Sequence, residues 1–189
     1  MSRSYRVRVK ESANRVLRAE DRVSTCLEII EVLPPEQMTG LLRDELKKRG
    51  FVEEGDKLVR RDKGVVITVD PETATVTVSA EASQHVELEA ERNGSAFDDV
   101  GPDAKQVRAG LKKEAREEID RKAKEKTAEL QSKVTDKLEG KLSDVRKELD
   151  EVVNRVTAEA LKRKAASMGQ IKEMTEDPQA GSLTIVVEV

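Results

Sequence analysis

The chain has one histidine, one cysteine, no tryptophan, and only three aromatic residues in 189: Tyr5, Phe51 and Phe97. One cysteine cannot close an internal disulfide, and a single histidine with a single cysteine cannot complete a structural zinc set. No GxGxxG, P-loop or EF-hand spacing occurs, so the common phosphate, dinucleotide and calcium cradles are missing. No run of 18 apolar residues is present, and "MSRSYRVRVKE" enters charged alternation at once instead of an apolar leader core. These gaps predict a cytoplasmic protein with no membrane association, no cofactor and no metal, and one that is not an enzyme.

Charge is abundant. Asp, Glu, Lys and Arg make up 39% of the residues, with a net charge of −3. Residues 1–100 carry sixteen basic and twenty acidic side chains, residues 101–175 nineteen and fifteen, and residues 176–189 three acidic and no basic ones. The middle is thus mildly basic and the ends acidic. With so few aromatics, Val, Leu and Ile must supply the core, which fits a small sheet with long solvated helices.

Residues 1–100 read as an α+β head. In "SYRVRVK", Tyr5, Val7 and Val9 alternate with Arg6, Arg8 and Lys10, the period of a half-solvated strand. The β-branched stretch Arg15–Val32 reads as a second extended segment. Pro34-Pro35 ends pairing and opens a helix in which Met38, Leu41, Leu42 and Leu46 share one face, followed by Gly50 at a left-handed C-cap and Phe51 packing back. Turn residues Asp62-Lys63-Gly64 and Asp70-Pro71-Glu72-Thr73 then separate short antiparallel strands at Leu58–Arg61, Val65–Val69, Thr75–Ser79 and His85–Glu91. The expected arrangement is a small antiparallel sheet with one packed helix.

Gly94, Ser95, Gly101 and Pro102 read as a linker into a long helical arm, residues 101–175. Val107, Leu111, Ala115, Ile119 and Ala123 recur every fourth residue. Leu138, Leu142, Val145, Leu149, Val152 and Val156 step 4, 3, 4, 3, 4, a heptad seam, and form the expected partner-binding set. Gly140, with Ser143 and Asp144 behind it, offers a turn. The segment therefore reads as a coiled-coil-like helical hairpin. The terminal segment, residues 176–189, would return Leu183, Ile185, Val187 and Val189 as a closing strand on the head's sheet. An unbroken helix in an intermolecular coiled coil is the alternative.

Candidate chemistry is thin. His85 falls in a strand, where a structural or solvent-facing role is expected, and Cys26 reads as a small core residue. Asp98 and Asp99, or Glu117 and Glu118, are acidic pairs of the kind that can ligate metals, but such charge runs ordinarily form wet surface. Lys112, Lys113, Arg116, Arg121, Lys122, Lys124, Lys126 and Lys162–Lys164 could meet phosphates. Interleaved acids and the lack of an aromatic platform argue against specific nucleic-acid binding.

The stretch from Ser4 to about Ser79 resembles the N-terminal part of bacterial FtsH ternary system components. The resemblance lies mainly in "LRAEDRVSTCLEIIEVLPPEQM" and "ITVDPETATVTV". It implies a role beside an FtsH-like AAA+ ATPase, in protein quality control or a conflict response, and carries no catalytic motif. The combined expectation is a non-enzymatic interaction or adaptor protein whose partner is a protein, with a homo-oligomeric coiled-coil scaffold and an enzyme of unrecognised type as alternatives.

Overall fold

A computed structural model describes residues 4–97, 103–177 and 182–188. The elements are β1 (Ser4–Cys26), α1 (Pro35–Lys48), β2 (Val52–Glu54), β3 (Lys57–Asp62), β4 (Val65–Asp70), β5 (Thr75–Phe97), α2 (Ala104–Met168), β6 (Gln170–Asp177) and β7 (Ser182–Glu188). One antiparallel sheet has the order β1-β5-β4-β3-β2, and β6 and β7 form a separate two-stranded sheet. The chain divides into two compact units, Met1–Glu20 with Glu81–Thr135, and Asp21–Ala80 with Asp136–Val189.

In the first unit the sheet is a ribbon of β1 and β5. Arg8 pairs with Glu91 at 2.5 Å and Lys10 with Glu89 at 2.8 Å across the antiparallel strands. On the inner face Leu17, Val86, Leu88 and Ala90 form a cluster with Ala115 and Ile119 of α2, extended by Ala13, Ala123 and Leu130. An isolated two-stranded ribbon is marginal in water, so this helix face is what makes it stable. Gly94 contributes closeness: a Cβ there would come within 3.0 Å of Leu111 Cδ1.

The second unit holds the rest of the sheet. Helix α1 buries Met38, Leu41, Leu42 and Leu46. It ends as expected: Gly50 has φ +81, its N–H donates to Lys47 O, and the N–H of buried Phe51 donates to Leu46 O, a Schellman closure. Strands β3 and β4 pair from Leu58↔Val69 to Asp62↔Val65 around Lys63 and Gly64, both with positive φ, as a two-residue hairpin turn requires. Asp70 Oδ1 accepts hydrogen bonds from the N–H groups of Glu72 and Thr73 and shapes the next turn.

Four expectations need correction. The strands expected at the N-terminus are one strand, β1, which ends at Cys26, so Leu27–Val32 is not part of it. Likewise Thr75–Ser79 and His85–Glu91 belong to one strand, β5, which runs through Gly94 and Ser95 to Phe97. The helical hairpin is a single helix: α2 passes through Gly140 without a break. A glycine inside a helix costs about 1 kcal/mol, less than is gained by burying Leu138 and Val145 on either side. Finally, the C-terminal strand does not close the head's sheet; β7 pairs with β6, from Gln170↔Glu188 to Asp177↔Ser182. A neighbouring segment is the cheaper partner because the loop to be closed is short. Gly101, Pro102 and Val189 lie outside the described residues.

Candidate interaction surface

The heptad seam faces inward. Leu138, Val145, Leu149, Val152 and Val156 are buried by the chain's own atoms, and Leu142 is half-buried. Polar side chains along the same stretch of α2 show what lies against it. Glu148 receives two hydrogen bonds from the Arg60 guanidinium on β3, both 2.6 Å, and its backbone carbonyl accepts from Arg49 at the end of α1. Arg49 also pairs with Glu151 at 3.2 Å, Lys141 with Asp62 at 3.0 Å, and Arg155 with the buried Glu45 at 3.8 Å. Arg60 additionally donates to Arg49 O and lies 4.6 Å from the centroid of the Phe51 ring. This ionic border joins the seam stretch of α2 to α1 and β3 within one unit.

These polar residues were missed from the sequence, although each leaves a trace. Glu45 interrupts the apolar stripe of α1, and Arg60 shares its side of β3 with the fully buried Leu58. A charge on an apolar face needs a partner, and both have one.

The bidentate bond from Arg60 holds the Glu148 carboxyl below the usual carboxylate range, against a smaller opposing effect of burial. A carboxylate with a lowered folded pKa contributes stability that is fully present above its unfolded value, about pH 4.3, and is lost as pH falls through the folded value. Glu148→Gln is therefore expected to cost about 1–2 kcal/mol at neutral pH, after allowance for solvent screening of this partly buried pair. The gap to wild type should shrink as the solution is acidified below about pH 4.3. Urea denaturation at several pH values reads both effects.

The other candidates are dispersed. His85 is exposed on β5. Cys26 is exposed at the end of β1, with Sγ 3.9 Å from Thr75 Oγ1, and is not the core residue expected, because the strand ends there. Glu117 pairs with Lys113, and Glu118 with Lys122 and Arg92. Among the described residues no group of three or more His, Cys, Asp or Glu side chains could hold a metal ion; Asp98 and Asp99 lie outside them. Several basic residues of α2 are engaged within the chain: Lys112 and Arg116 both reach Glu11, and Arg121 pairs with Glu125. A depression of about 260 Å³ bordered by Arg92, Glu114, Glu117, Glu118 and Arg121 is lined by charges that pair with one another or with neighbouring side chains. No helix among the described residues is long and apolar enough to cross a membrane.

Much of what remains outward on α2 is charged. In the first unit Lys124, Lys126 and Lys133 are exposed, and in the second Asp136, Asp144, Arg146, Lys147 and Asp150. A family model described as FtsH ternary system domain X5 matches residues 1–189. The chain belongs to that family. Comparison with curated proteins and with solved structures gives no match. The expected resemblance, which reached residue 79, thus extends through α2 and the terminal hairpin of this X5 chain.

Proposed function

We propose that this X5 protein is a non-enzymatic, protein-binding component of an FtsH-associated system, with an AAA+ ATPase or one of its partners as its target. The observation that carries the reading is the division of labour on α2, whose apolar stripe is covered by the chain itself while charged side chains such as Lys124, Lys126 and Lys133 are exposed. Such a face steers association and sets partner choice by charge complementarity. On this reading Leu138, Leu142, Val145, Leu149, Val152 and Val156 act on the partner indirectly, by holding the helix in place. Membership of the X5 family supports a role beside an FtsH-type enzyme. A homo-oligomeric coiled coil through the seam is the weaker reading, because forming it would require those side chains to leave the chain's own core.

The test is binding of the purified protein to its cognate FtsH-type ATPase, measured with the ATP hydrolysis rate at low and moderate salt. The proposal expects a salt-sensitive complex that Lys124→Glu/Lys126→Glu weakens at least about tenfold without changing the protein's melting temperature. Absence of a complex at both salt concentrations would contradict it.

A further inference from the structure

The β6–β7 sheet has two long edges, and they differ. Strand β6 carries the devices that keep an edge from pairing: Lys172 and Glu173 lie on it, and its register breaks in a bulge between Ile171 and Glu173. Strand β7, "SLTIVVE", has no such protection until its last residue, Glu188, whose charge is engaged by Lys172 at 2.7 Å. Among the described residues β7 is hydrogen-bonded on one side only, to β6. Leu183, Ile185 and Val187 are half-buried, and Val186 on the opposite side is 45% exposed. The long edge strand β1 shows the contrast, with Arg6, Arg8, Lys10, Arg15 and Arg18 along it.

We infer that the open edge of β7 pairs antiparallel with β7 of a second copy of this chain, making a four-stranded intermolecular sheet. The strand is self-complementary about Ile185. A two-fold axis there sets Ile185 against Ile185, Leu183 against Val187, Thr184 against Val186 and Ser182 against Glu188, so no like charges meet directly. The register within each hairpin places Ile171 opposite Val187 and Met174 opposite Ile185. Joining two hairpins therefore extends one apolar row across four strands. It also lifts a two-stranded hairpin past the three strands that independent stability generally needs. This contact is separate from the charged face of α2 and does not depend on what that face binds.

The experiment is light scattering after size exclusion on the full chain, with a charge swap at the axis. Wild type should have twice the mass of one chain. Ile185→Lys and Ile185→Glu should each run as monomers, since each places like charges opposite one another, and an equimolar mixture of the two should recover the dimer. Val186→Lys, which leaves the apolar row intact and can face Glu173 within the hairpin, should weaken the dimer at least about tenfold. A wild-type protein that stays monomeric at high concentration overturns the inference and leaves β7 to a strand of a different protein. A dimer whose mass is unchanged in all three variants overturns it too, as does failure of the mixture to reassociate when both variants keep wild-type helix content.

Discussion

Leu138→Ala is expected to destabilise the isolated chain by about 2–5 kcal/mol, the range for truncating a buried leucine that leaves a partly collapsed cavity. Leu138 is 1% exposed, and its neighbours along the seam, Val134, Val145 and Val152, are buried as well. The site has little freedom to refill itself. Leu161→Ala is the control: Leu161 lies on the same helix but is 38% exposed, and its truncation should change stability by less than about 0.5 kcal/mol. Urea denaturation of both variants at two protein concentrations gives the comparison. If the seam were a surface awaiting a partner, the two substitutions would have similar and small effects on the free chain.

The second large effect belongs to the ribbon. Ile119→Asp puts a carboxylate among Leu17, Val86, Leu88, Ala90 and Ala115, where Ile119 is 3% exposed. A buried unpaired charge costs more than about 4 kcal/mol or forces the segment open. Because β1 and β5 form only a two-stranded ribbon there, no third strand exists to hold it when the helix face is lost. Hydrogen exchange should show amide protection in residues 86–97 collapsing towards that of an open chain. Glu117→Ala, on the outer side of the same turn, should leave that protection unchanged.

Which parts of this architecture can be read from the sequence follows from what local patterns encode. Helix α1 and its end are written in "LLRDELKKRGF", because stripe, basic last turn and glycine all concern neighbouring residues. The turns at Lys63-Gly64 and Asp70 are legible for the same reason. The two long strands are not, because their inward positions include residues of low hydropathy. Along β5 one face runs Val76, Val78, Ala80, Ala82, Gln84, Val86, Leu88 and Ala90, with Gln84 exposed, so the alternation fades at its middle and reads as two strands. Along β1, Glu11 and Ala13 do the same. Strand β6 hides in "GQIKEMTED", whose charges and bulge obscure any period of two.

The seam shows the limit most plainly. A 4-3-4-3 spacing identifies which face of α2 is apolar, and that face is buried. It does not say whether another chain or this one covers it, since a sheet and a second helix accept the same stripe. The deciding residues, Arg60, Arg49 and Glu45, are far in sequence from α2's matching charges at Glu148, Glu151 and Arg155: Arg60 and Glu148 are separated by 88 positions, Arg49 and Glu151 by 102. Gly140 misleads in the same way: it marks a place where a helix can stop, and burial on both sides carries the helix through.

The most direct test of the central claim, that α2's seam is part of the chain's own core, is an isotope-filtered NOE experiment on an equimolar mixture of labelled and unlabelled protein. Methyl signals of Leu138, Val145, Leu149, Val152 and Val156 should show contacts to α1 and β3 in the unfiltered spectrum and none in the spectrum that passes only contacts between chains. Seam-to-seam contacts between the labelled and unlabelled chains would contradict the account and make α2 an intermolecular coiled coil.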